Sequence, residues 1–306
     1  MTEINATRAL EMQHELLTFM ESPQGLLYLA TIACIPNSEA SGLQHEQVAM
    51  LRNGPTYFVV GDMLALARHA AETIPALPLK PSDLITPSGV CLFDKALALK
   101  DLHDKTITLI GFCWHPAQFT DGTTGIVWNF LSDTQDPRDY HMVKQREKGL
   151  RFLIRLLPLV IHFEKFGVVP ATATETAAGT GCSVDKAKET LTVLRHMPLC
   201  LFILMGQTIT STTTEKPQRS TRRRLARAKS PLKDFSVKVV RLRRLKTRLP
   251  TGETKTVEWS HRWVVNGHWR IQPTKNGPKR IWIMPFIKGA ADLPLKLKET
   301  IYILER

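Results

Sequence analysis

The residues best suited by type and spacing to do chemistry lie in the run Glu258-Trp259-Ser260-His261-Arg262-Trp263-Val264-Val265-Asn266-Gly267-His268-Trp269-Arg270-Ile271-Gln272. Asn-Gly between two strand-forming runs signals a two-residue β-hairpin, because a type I′ turn needs positive φ at both central residues. With Asn266 and Gly267 as the turn, Val265 faces His268, Val264 faces Trp269, Trp263 faces Arg270, Arg262 faces Ile271 and His261 faces Gln272. Period-two alternation then gathers His261, Trp263, Val265, His268, Arg270 and Gln272 on one face. Arg262, Val264, Trp269 and Ile271 take the other, more apolar face. His261 and His268 would stand about 13 Å apart over four strand steps, with Arg270 between them.

Such a face suits phosphodiester chemistry. Histidine gives and accepts protons near neutrality, so His261 and His268 could exchange protons with a ribose hydroxyl and a leaving oxygen while Arg270 holds the phosphate, cleaving RNA without a metal. A second reading has Trp263 and Arg270 stacking on nucleotides, with the histidines as ordinary polar strand residues. A third is a plain structural hairpin. The strand that follows, Lys279 to Gly289, ends in Lys288, which is either a phosphate contact or a solvated strand-terminal lysine.

The distribution of charge favours a polyanionic partner. The chain of 306 residues carries a formal charge of +13. Residues 1–215 hold 17 Lys/Arg against 22 Asp/Glu, residues 216–248 hold 14 against 1, and residues 249–306 hold 10 against 5. The middle segment thus accounts for the whole excess. It includes Arg222, Arg223, Arg224, Arg227, Arg241, Arg243 and Arg244, and arginine outnumbers lysine there by nine to five. Neutralised phosphates release counterions, which makes such a cluster the footprint of nucleic-acid binding; planar guanidinium favours bidentate phosphate contact. The alternative is a solvated linker or an arm docking on an acidic protein.

The elements that must position these residues are read from periodicity. Arg8 to Met20 has apolar residues at helical spacing, Leu26 to Cys34 is a short apolar segment stopped by Pro36, and Asp62 to Thr73 is helical before Pro75. Val90 to Phe93, Lys105 to Trp114 and Gly125 to Leu131, separated by turn residues, suggest an antiparallel meander. Val143 to Phe166 reads as a helix interrupted by Pro158, and Val184 to Met205 as another containing Pro198. Pro170 to Gly181 reads as a loop, and residues 207–221, rich in Thr and Ser, as a connector. Strand-like runs follow at 235–242, 256–265, 268–272, 280–286 and 300–304. The expected class is α+β: a helical N-terminal part with a small antiparallel meander, and a C-terminal antiparallel sheet containing the Asn-Gly hairpin. The expected domains are 1–206, a basic linker or arm at 207–234, and a sheet module at 235–306.

Beyond these local readings, His261-Arg262-Trp263, Gly267-His268-Trp269-Arg270, Trp282, Pro285, Lys288-Gly289, Pro294-Leu295 and Tyr302 resemble the C-terminal signature of a group of uncharacterised actinobacterial and phage mobile-element proteins. The resemblance extends upstream to Leu84–Asp94 and Val239–Arg244, over about half the chain. It implies nucleic-acid work, toxin activity or host interference, without assigning a function. The succession of arginine-rich strands also resembles, at the level of fold alone, the RelE-like ribonucleases.

Other chemistries find less support. Cys113-Trp114-His115 puts a thiol and an imidazole on one strand face without an orienting third group. His103, Asp104, His115, Asp121, Asp139 and His141 lack metal-ligand spacing, and Gly179-Thr180-Gly181 lacks a phosphate-loop lysine, so neither a metal nor a nucleotide cofactor is expected. No apolar run approaches the ~20 residues of a membrane helix, and the first residues do not read as a signal peptide. Five cysteines, never spaced CxxC, suggest a reducing, cytoplasmic setting. The expectation is a cytoplasmic nucleic-acid-binding protein of mobile-element type, with an endoribonuclease toxin as its sharpest form and a non-enzymatic protein-docking protein as the alternative.

Overall fold

The computed structural model describes residues 5–33, 35–60, 63–74, 80–101, 105–118, 122–142, 145, 151–162, 168–169, 184–230, 232, 235–242, 263–275, 277–284 and 286–288. The chain divides into two compact units, Met1–Glu72 with Ala76–Arg243, and Thr73–Pro75 with Arg244–Arg306.

The first unit opens with three helices, α1 (Ala6–Met20), α2 (Pro23–Ala33) and α3 (Asn37–Asn53). Asn5 caps α1 by accepting the Arg8 N–H at 2.9 Å, which satisfies one of the donors left free at a helix start. Strand β1 (Thr56–Val59) and helix α4 (Met63–Glu72) lead to the meander β2 (Gly89–Lys100), β3 (Thr106–Gln118) and β4 (Thr124–Asp133). Then come β5 (Phe152–His162), β6 (Val168–Val169), the long helix α5 (Val184–Met205), β7 (Thr210–Glu215), α6 (Arg219–Arg227) and β8 (Val237–Leu242). The strands form one eight-stranded sheet in the order β6-β5-β4-β3-β2-β1-β8-β7. The sheet is mixed: β1 runs parallel to both β2 and β8, and the other pairs are antiparallel.

Alternation divides the strands between two faces. Phe58, Val90, Leu92, Cys113, Leu131, Val237 and Val239 join Leu10, Leu17, Met50, Leu51 and Leu225 in one core, so α1, α3 and α6 cover that side. On the other side Phe112 and Trp114 meet Phe202 of α5 at ring distances of 5.7 and 4.9 Å, and the Trp128 indole donates to the Leu194 carbonyl at 3.3 Å. Where β2 passes β3 its register shifts between Leu92 and Leu97. Gly111 lies beside this irregularity, and a Cβ there would sit 2.2 Å from the Cys91 carbonyl oxygen.

Both the helical opening and the meander match expectation, but three readings are corrected. The stretch expected to be a helix around Val143 to Phe166 contains strand β5. Phe152, Leu153 and Ile154 are all buried although they alternate between faces, so the apolar run reflects a strand covered on both sides. Pro158 lies in the irregularity where Trp128 pairs with Leu159 but Phe130 pairs with Arg155, the kind of place in a sheet that accommodates proline. Next, the segment expected to be a basic linker at 207–234 holds strand β7, hydrogen-bonded along β8, and helix α6, and the first unit runs on to Arg243.

The second unit supplies the third correction. It contains two short antiparallel pairs: β9 (Trp263–Val265) with β12 (Phe286–Lys288), and β10 (His268–Gln272) with β11 (Lys279–Ile283). The hairpin expected across Asn266-Gly267 is thus replaced by β10–β11, and neither Asn266 nor Gly267 has positive φ. The turn between paired strands forms instead around Gly277, between β10 and β11. Gly277 has φ 96°, and Thr274 and Gly277 exchange backbone hydrogen bonds at 3.2 and 3.0 Å. Trp269 and Trp282, directly opposite in register, pack edge to face at 5.3 Å.

Candidate functional site

Helix α6 has the sequence Arg-Ser-Thr-Arg-Arg-Arg-Leu-Ala-Arg, and only Thr221 and Leu225 of it are buried. These two lie four residues apart on one side. The opposite side carries Arg219, Arg223 and Arg227 at i, i+4 and i+8, all exposed, with Arg222 exposed on the flank. At 1.5 Å rise per residue the stripe spans about 12 Å. Arg224 points back to α1 and pairs with Glu11. Among the described residues Arg222, Arg223 and Arg227 make no ion pair.

Local geometry holds this helix rigidly to the domain. The Ser230 N–H bonds the Leu225 carbonyl at 2.9 Å and the Lys229 N–H bonds that of Ala226 at 3.1 Å, a Schellman termination in which Lys229 takes the left-handed conformation, φ 48°. Ser230 Oγ then meets His14 Nδ1 of α1 at 3.0 Å. Arg224 and Arg227 fall in the last turn, where the helix dipole favours cations. Beside the helix in sequence, Arg241 of β8 reaches across the edge strand β7 to Thr213 Oγ1 at 3.2 Å and Glu215 Oε1 at 3.0 Å. Its charge is therefore shared with Glu215.

The residues singled out from the sequence end up in separate places. Arg222, Arg223, Arg224 and Arg227 share α6, and Arg241 lies on β8, whereas Arg243, Arg244 and His261 lie outside the described residues. In the second unit His268 and Arg270 are exposed on β10, and the His268 ring lies 3.1 Å from the Asn266 carbonyl. The backbones of Trp263 and Lys288 are register partners on β9 and β12. With β9 paired to β12 and β10 to β11, the Asn266-Gly267 hairpin that gathered His261, His268 and Arg270 on one face loses its basis. Sequence reasoning counted Arg219 in the basic segment but did not single it out; its signal was its spacing of four residues to Arg223 and of eight to Arg227.

Cys113 lies in a different kind of environment. It is buried, with its thiol 3.6 Å from the Asn129 carbonyl and 3.9 Å from Gln47 Oε1, and burial pushes its pKa up to about 12. Such a thiol is a packing residue, not a nucleophile. His115 sits two residues on, with its Nε2 3.4 Å from the Gln47 amide. Among the described residues, no group of three or more His, Cys, Asp or Glu is arranged to hold a metal ion.

A cleft of about 340 Å³ opens where α1 crosses β2, β3, β4 and the start of β5. The sequence reading did not foresee it. Met12, Ala96 and Ile110 supply apolar wall, Asp94, Asp133 and Asp136 supply carboxylates, and Arg8, Arg138 and Arg151 supply positive charge. The guanidiniums of Arg8 and Arg151 lie over the Phe152 ring, 5.3 and 5.0 Å from its centroid. Arg8 Nη1 donates to Glu11 at 3.0 Å and Glu15 at 2.9 Å, while its Nη2 is buried and has no hydrogen-bond partner among the described residues. Burial raises the Asp133 carboxyl above its ordinary value, opposed by the Gln135 N–H and by Arg151 and Arg8. Asp136 is held below its ordinary value by the Arg138 side chain, which grips it at 2.9 and 2.6 Å. The signal in the sequence was the run Asp133 to Asp139, with three carboxylates between two strands.

No family model matches the chain, and no curated protein matches it. Among solved structures, the crystal structure of AcrVA2 is similar at a TM-score of 0.41 and 10% identity, over 92% of this chain and 92% of that one. No helix among the described residues is long and apolar enough to cross a membrane.

Proposed function

We propose that the protein binds nucleic acid through the outward face of α6. The observation that carries this reading is the stripe Arg219, Arg223 and Arg227, exposed on a helix whose other side is anchored in the core. Like charges four residues apart destabilise a helix by roughly 0.2–0.5 kcal/mol per pair, so the stripe costs stability while presenting three planar donors to one partner. Their i, i+4 spacing, about 6 Å along the axis, is comparable with that of successive phosphates on an extended strand. Arg222 flanks the stripe, and Arg241, Arg243 and Arg244 extend the basic segment in sequence. His268, Arg270, Trp263 and Lys288 of the second unit are additional candidate contacts, and RNA cleavage involving His261 and His268 is the finer form of the proposal. The resemblance to mobile-element proteins is consistent with such work.

Anisotropy of a short labelled RNA and a labelled DNA duplex, titrated with the protein and with R219Q/R223Q/R227Q, tests the reading. The expected result is binding by the wild type and a loss of at least tenfold in the variant, with folding intact. Equal affinity of the two proteins would refute the role of α6. A wild type that binds neither probe at low salt would leave the helix as an arm for an acidic protein. Incubation of bound RNA with the wild type and with H261A and H268A then decides cleavage.

A further inference from the structure

The cleft between α1 and the sheet combines features that the nucleic-acid face does not use. Its volume lies at the lower end of small-ligand pockets. One wall is apolar, from Met12, Ala96 and Ile110, and suits a planar ring. Three carboxylates line the cleft, Asp94, Asp133 and Asp136; Asp136 is gripped by Arg138, whereas Asp133 accepts the Gln135 N–H on Oδ1 at 2.9 Å and its other oxygen can accept more. Arg8 brings a buried Nη2 without a hydrogen-bond partner among the described residues, and Arg151 brings an exposed guanidinium; Phe152 lies beneath both and fixes their position.

We infer that this cleft is a binding site for a guanine nucleotide, with the base against the apolar wall, its edge on Asp133, and its phosphate on Arg8 and Arg151. Guanine is the natural base for the Asp133 carboxylate, because its N1–H and N2–H donors lie side by side and match the two oxygens in a parallel pair, as a guanidinium does. Adenine presents one amino group beside a ring acceptor, which a carboxylate repels. A phosphate would give the orphaned Arg8 Nη2 the acceptor it lacks and would answer the positive charge of Arg151. The cost of burying the Asp133 carboxylate falls when two donors meet it. None of this depends on the phosphate-binding role of α6.

Calorimetric titration with GMP, AMP and guanosine tests the assignment, using the full chain and the variants D133N and R151Q. Arg151 is exposed, so R151Q is expected to fold as the wild type does. GMP should bind saturably and AMP about tenfold or more less tightly, the discrimination expected of a bidentate edge contact. D133N should abolish the preference for GMP over AMP, and R151Q should weaken GMP severalfold while leaving guanosine unchanged. R219Q/R223Q/R227Q should bind GMP as the wild type does, which separates this site from the helix. The assignment is overturned if GMP does not bind, if AMP binds equally well, or if R151Q weakens guanosine as much as GMP.

Discussion

Lys229 closes α6 in the left-handed region, and its replacement by glycine has a sign and a size that follow from the backbone alone. A residue with a Cβ in that conformation costs roughly 1–2 kcal/mol, whereas glycine adopts it freely but loses ~0.5–1 kcal/mol more conformational entropy on folding. The net expectation for Lys229→Gly is a gain of about 1 kcal/mol, or about 2–4 °C in Tm for a domain of this size. Lys229→Ala keeps the strain and removes the charge, so it should change stability by less than about 0.5 kcal/mol. Urea and thermal melts followed by circular dichroism compare the two variants with the wild type. If Lys229→Gly is no more stable than Lys229→Ala, the left-handed termination does not hold in solution, and the rigid presentation of the arginine stripe loses its foundation.

Other perturbations probe the rest of the domain. Gly111→Ala puts a Cβ against the Cys91 carbonyl oxygen, and backbone cannot yield as a side chain does, so a loss of about 2–4 kcal/mol is expected in denaturant melts. Asp136→Asn removes the charge that Arg138 grips and should cost about 1–2 kcal/mol at neutral pH. Because the folded Asp136 pKa is lowered, its contribution is present above the ordinary carboxylate value. It is lost as pH falls through the folded value, so the deficit of the variant should shrink in acid. Asp133 has the opposite sign: its raised pKa penalises the folded state once ionised, and Asp133→Asn should melt no lower than the wild type at pH 7 and lose that advantage in acid. Cys113, with its pKa near 12, should resist alkylation at pH 8 in the native protein and react only on unfolding, as peptide mass mapping will show.

Much of the first unit was legible because its elements carry strong periods and clear stops. α1, α4 and α5 repeat apolar residues at helical spacing, and β2, β3 and β4 are separated by turn residues. β5 was misread because a strand buried on both faces loses its period of two. β7 was read as a connector because five of its six residues are Thr or Ser. Thr is nonetheless β-branched and fits a strand, and only Thr210 of β7 is buried. α6 was hidden inside a run of charge, since two buried positions in nine residues make a weak apolar signal; the spacing of its arginines carried the information. The C-terminal hairpin failed on a choice between two Asn-Gly pairs. Prolines 273 and 278 bracket the second, and with them the sequence marked the turn that forms. The cleft left only the acidic run from Asp133 as a trace in the sequence, because Arg8 of α1 meets Asp133 and Arg151 through the packing of the helix on the sheet and the pairing of β4 with β5, not through neighbourhood in the chain.

The central claim is that three arginines of one helix contact phosphate. Counterion release makes this countable: each neutralised phosphate contributes about 0.7 to the slope of log affinity against log salt for a single strand. Measuring that slope for single-stranded RNA with the wild type and with R219Q/R223Q/R227Q is therefore the most direct test. The account predicts that the slope of the variant is shallower than that of the wild type by about 2. An unchanged slope, whatever the affinity, would contradict it.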